Sequence, residues 1–79
     1  MNLEQTLLQL CQEAIEQVSD ESIVVTMETE LNAEAGIDSL AFMNIIIAWE
    51  EALGKELDDL LGALHTAKTV GEAIKIVLM

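Results

Sequence analysis

The chain has no proline and no arginine, one cysteine, one histidine and, in Phe42 and Trp49, only two aromatic side chains among its 79 residues. Each shortage excludes something. Without proline no helix loses a backbone donor to a pyrrolidine ring. Cys11 alone cannot form an intrachain disulfide, and one His with one Cys cannot make an ordinary structural zinc site. Positive charge is equally scarce: three lysines face 15 acidic residues, the net charge is -12, and no basic residue precedes Lys55. Such a field repels nucleic-acid phosphates and anionic membranes and steers the chain towards basic patches on proteins. No segment approaches the roughly 18 consecutive apolar residues of a membrane span. Acidic Glu4 stands where a secretory leader has its basic region. The expectation is a cytoplasmic protein with no nucleic-acid partner and no stable membrane insertion.

What is present is apolar and helix-forming. Hydrophobic residues make up 52% of the chain, too many for disorder. A single small domain over residues 1–79 follows, able to bury a modest core but not to surround a conventional catalytic cleft. The composition points to an all-α fold. Leu3, Leu7, Leu10, Cys11, Ala14, Ile15 and Val18 recur at helical spacing, predicting a helix from Asn2, its candidate cap, to Val18. The period breaks at Ser19-Asp20. From there to Ile37, Ile23, Val24, Val25, Met27 and Leu31 stand among acids and threonines as apolar anchors of a long loop.

A second helix is predicted from Ser39 to Leu53, with Asp38 as N-cap and Gly54 as C-cap. Leu57, Leu60, Leu61 and Leu64 suggest one brief third helix, and Thr69 with Glu72 forms a capping box ahead of the apolar residues Val70, Ala73, Ile74, Val77 and Leu78 of a last helix. The expected bundle has three longer helices and one short one. Cys11 falls on the apolar stripe of the first helix and reads as a packing residue.

Ser39 belongs to the first turn of the second helix, where unpaired N–H groups and the positive end of the helix dipole favour a phosphate. Projected at about 100° per residue, that helix shows two apolar stripes. Phe42, Ile45, Ile46, Trp49 and Leu53 are assigned to the core. Leu40, Met43 and Ile47 lie nearly opposite, flanked by Asn44, Glu50 and Glu51. The second stripe is either buried between neighbouring helices or a docking strip, with apolar side chains entering a groove while acids meet Arg and Lys.

The stretch AGIDSLAFMNIIIAWEEALGKEL, residues 35–57, resembles the Asp-Ser-Leu signature and second-helix pattern of the acyl carrier protein family. The resemblance covers essentially the whole chain, most specifically residues 36–54, and that family also joins its first two helices by a long anchored loop. It implies that Ser39 is esterified with a 4′-phosphopantetheine arm, taken from coenzyme A by a phosphopantetheinyl transferase, and that the arm's thiol holds acyl groups as thioesters. Asp38 then matches the adjoining acid, and Leu40, Met43 and Ile47 match the apolar docking contacts. Glu50 and Glu51 match the family's acidic pair. Further partners would be acyl-loading, synthase and acyltransferase enzymes with basic docking patches, met by a monomeric carrier.

Asn44 departs from the pattern, since fatty-acid carriers usually have an acid there. The stretch KELDDLLGALHTAKTV, residues 55–70, lacks the common proline and is longer and richer in leucine than usual. Basic residues of the family's first helix are missing too. These departures suggest a specialised bacterial carrier of a dedicated fatty-acyl or lipid pathway, such as lipopolysaccharide synthesis, or of a polyketide pathway. An aminoacyl or peptidyl carrier, and an unmodified acidic helical adaptor, are the alternatives.

No catalytic constellation accompanies the serine. His65 lies in a separate segment beside Thr66, and Asp58-Asp59 reads as solvated surface. Gly36, Gly54, Gly62 and Gly71 are too scattered to cradle a phosphate. Ile45, Ile46, Leu57, Leu60, Val70 and Ile74 are compatible either with a packed core or with a tunnel for a fatty chain.

Overall fold

A computed structural model describes residues 2–19 and 23–79, and among these the chain is all-α. Its helices are α1 (Leu3–Val18), α2 (Ser39–Leu53), α3 (Leu61–Thr66) and α4 (Val70–Leu78). Local chemistry sets half of the ends. The Asn2 side chain accepts from the Glu4 N–H at 2.9 Å and opens α1. Thr69 and Glu72 exchange the two hydrogen bonds of a capping box at the start of α4. Asp38 and Gly54 cap α2 at its two ends.

Burial follows the helical period. Leu7, Cys11, Ala14 and Ile15 of α1 pack with Ala41, Ile45, Ile46 and Trp49 of α2 and with Val70, Ala73, Ile74 and Val77 of α4. The ends of the α1 stripe, Leu3 and Val18, remain exposed, and Phe42 and Leu53 are half-buried at the core's edge. Trp49 is the largest buried side chain, and its Nε1–H donates to the Leu7 carbonyl at 2.9 Å, so the indole ties α2 to α1 without an unpaired donor. Cys11 is fully buried, and loss of solvent pushes its thiol up to about 12.

The long connection between α1 and α2 is held by its backbone as well as by apolar anchors. The Gln12 amide acts as a clamp: it donates to the Ile23 carbonyl and accepts from the Val25 N–H at 2.7 Å. Ile23 and Val25 therefore turn inward, and Val24 between them points to solvent at 84% exposure. That corrects its expected role as an anchor. Further on, Leu31 donates to the Lys68 carbonyl, Val70 to Thr29 and Gly71 to Met27 at 2.8 to 2.9 Å. A Cβ on Gly71 would stand 2.8 Å from the Met27 carbonyl oxygen, so the loop approaches α4 as closely as only glycine permits. The Asp20 side of the predicted pattern break lies outside the described residues.

The segment expected to form one brief helix is divided. A 3-10 turn, Asp58–Leu60, leads into α3. Neither Leu57 nor Leu60 supplies a side-chain cap, and the Leu57 N–H is instead taken by the Glu50 carboxylate of α2 at 2.8 Å. Leu57 is thus fixed to α2 before the turn begins.

Candidate functional site

The turn into α2 is held on both sides of Ser39. Before it, Gly36 takes a left-handed conformation at φ 99° that an L side chain rarely adopts, and closes a 3-10 turn, Ala33–Ala35, capped by Asn32. This returns the chain so that Ile37 donates to the Asn32 carbonyl and buries its side chain. After it, Ala41 is buried in the α1–α2 contact. Between two buried residues, Asp38, Ser39 and Leu40 are turned outward.

Asp38 has a structural task. Its Oδ1 accepts from the Ala41 N–H at 2.9 Å, and its carbonyl accepts from Phe42 at 2.9 Å. The remaining N–H groups of the first turn, on Ser39 and Leu40, lie beyond reach of any intrahelical carbonyl. An anion bonded to the Ser39 oxygen would therefore lie against free donors and the positive end of a helix of 15 residues.

A cavity of about 340 Å³ adjoins the serine. Leu31, Ile37, Phe42, Leu64, His65 and Ala67 supply much of its wall. Distance along the chain suggested that His65 belonged to a separate segment, but α3 brings it to the cavity that Ser39 lines. There its ring meets Phe42, with centroids 5.0 Å apart and planes tilted by 33°. The imidazole is thus packed against the first turns of α2. Only tertiary placement reveals this neighbour; the sole hint was that Phe42 closes the core stripe one turn after the serine.

The second stripe of α2 faces solvent: Leu40 is 64% exposed, Met43 44% and Ile47 49%. Of its flanking polar residues, Glu51 is exposed, whereas two are committed within the fold. Asn44 is half-buried, its Nδ2 donating to the Ala14 carbonyl at 2.8 Å and to Gln17 Oε1 at 3.0 Å. Glu50 is half-buried and holds the Leu57 N–H. Among the described residues no cluster of His, Cys, Asp and Glu could hold a metal ion, and no helix is long and apolar enough to cross a membrane.

Comparison with known proteins bears directly on this arrangement. The profile of the family described as "Phosphopantetheine attachment site" matches residues 5–77. The chain belongs to that family. It is also 34% identical over 77 residues to an acyl carrier protein of Prochlorococcus marinus (strain MIT 9515), across 98% of this chain and 94% of that one. No solved structure matches. As a phosphopantetheine-attachment carrier it has 4′-phosphopantetheine as its prosthetic group, and the turn at Ser39 fits such a group. An outward hydroxyl, unfilled backbone donors for a phosphodiester and an adjoining cavity lined by both apolar and polar side chains meet at one place.

Proposed function

We propose that Ser39 is the attachment residue and that the chain carries acyl groups in the cytoplasm, as a monomer, for a dedicated fatty-acyl, lipid or polyketide pathway. The observation that carries this reading is the pairing of an outward Ser39 with an exposed apolar strip on the same helix. The arm supplies a thiol that holds the acyl group as a thioester. The protein's own residues do the rest. Ile37 and Ala41 hold the turn rigid, Asp38 keeps α2 started at Ser39, and the first-turn N–H groups stabilise the phosphate charge.

Leu40, Met43 and Ile47 offer the apolar contact to partner enzymes, and Glu51 with the wider acidic field meets their basic patches. Tethering then converts each transfer into a local event at high effective concentration. Asn44 supports a dedicated pathway. Where fatty-acid carriers usually offer an acid to their enzymes, this chain spends the position on the α1–α2 contact.

Co-expression with a phosphopantetheinyl transferase tests the assignment. The intact mass is expected to rise by one phosphopantetheine group, and Ser39→Ala to abolish the gain. A Ser39→Ala protein that still gained it would move the site elsewhere. A wild type refused by several transferases would favour the unmodified adaptor.

A further inference from the structure

We propose that the groove between α1 and α2 is a second docking element, one that takes an arginine- or lysine-bearing amphipathic helix of a partner enzyme. The proposal rests on the docking role given above to the exposed strip of α2. The groove has a volume of about 510 Å³. Its base is made of small side chains, with Ala14 buried, Ala48 half-buried and Ala52 open to solvent. Leu10 and exposed Ile47 also line it. The Asn44–Gln17 hydrogen bond spans one end. Glu13 and Glu51, both exposed, set a carboxylate on each helix.

Charge selects the occupant. Neither helix carries a lysine or arginine, so no cation of α1 or α2 neutralises the two carboxylates. Lysine and arginine combine an apolar stem with a charged head, and the groove offers alanine and leucine surface beneath carboxylates. A phosphate-bearing surface would be repelled by the same acids. Ile47 and Glu51 belong to both the groove and the strip of α2, so one partner can cover them together. The benefit is orientation. A strip on one helix leaves a partner free to roll about that helix, whereas contacts on two helices fix the angle at which it approaches Ser39.

Titrating the ¹⁵N-labelled, phosphopantetheine-loaded protein with a synthetic amphipathic peptide, Leu and Arg on one helical face, tests this. A scrambled peptide of equal composition is the control. Saturable shifts are expected at the Leu10, Ala14, Ala48 and Ala52 amides, and weakening of at least about tenfold in Ala52→Arg, whose own guanidinium fills the groove. Glu13→Gln should also weaken binding and flatten its salt dependence. Ala52 is exposed, so an unchanged thermal midpoint will show that the fold survives. The idea is overturned if no saturable shift appears at those amides, if Ala52→Arg binds as well as wild type, or if the scrambled peptide gives the same shifts. Should Ser39 prove unmodified, the mass measurement alone reports it, and the titration of the unloaded chain still reads the groove.

Discussion

The side-chain amide of Asn44 in α2 donates to the backbone carbonyl of Ala14 in α1 at 2.8 Å. The bond joins the two longest helices at one end of their contact, while Trp49 Nε1 and the Leu7 carbonyl join them at the other. Restoring an acid by Asn44→Asp would replace the donor with a carboxylate facing a carbonyl oxygen and Gln17 Oε1. The expected cost is about 1–2 kcal/mol, read as a fall in thermal midpoint of roughly 5–15 °C for a domain of this size. An unchanged midpoint would mean that the bond contributes nothing.

Gly71→Ala is expected to loosen the long loop. The added Cβ would press on the Met27 carbonyl that accepts the Gly71 N–H. Relieving that overlap should cost about 1–3 kcal/mol. Hydrogen exchange is the direct measure: the Leu31, Val70 and Gly71 amides should lose protection while the α1 and α2 amides change only with global stability.

Cys11 gives stability a pH dependence of known sign. Its thiol ordinarily loses its proton near 9.0 but is pushed up to about 12 by burial. Below the lower value both folded and unfolded chains hold the proton and the full contribution is present. Between the two values only the unfolded chain loses it, so stability falls as pH rises, at up to about 1.4 kcal/mol per unit. The test compares wild type with Cys11→Ala in urea denaturation from pH 8 upward, so that only the contribution of Cys11 differs. Parallel curves would remove Cys11 as the source. At neutral pH, iodoacetamide should label Cys11 only as fast as the fold opens.

Met43→Glu probes the exposed strip. The side chain is 44% exposed, so stability should stay within about 0.5 kcal/mol of wild type. Modification by a phosphopantetheinyl transferase should show KM raised at least about tenfold with kcat little changed, as expected when docking and not chemistry is lost. An unaltered KM would place docking elsewhere.

Features written locally in the chain were the ones that sequence could reveal. Both ends of α2 and the start of α4 follow from Asp38, Gly54, Thr69 and Glu72, whose hydrogen bonds lie within a turn of their own positions. The two stripes of α2 follow from its period, and Ile45, Ile46 and Trp49 are inside as it assigns; that Leu40, Met43 and Ile47 are exposed and not buried under a neighbouring helix depends on how the helices pack. Contacts between distant segments were not legible. Nothing near Leu57 announces that Glu50 will take its N–H and divide the following segment. The Gln12 clamp and the arrival of His65 beside Phe42 likewise depend on how whole helices come to rest. Asn44 was visible as a departure from a pattern, but not as a bridge.

Glu50 and Glu51 are the same letter written twice, yet they answer to different demands. One secures the chain beyond α2 through the Leu57 N–H, and the other stands at the rim of the α1–α2 groove. A designer fitting this carrier to foreign enzymes therefore has freedom at Glu51 alone. Its charge can be erased or inverted to suit a new surface, whereas its neighbour admits only a side chain, such as glutamine, that still offers an oxygen to Leu57.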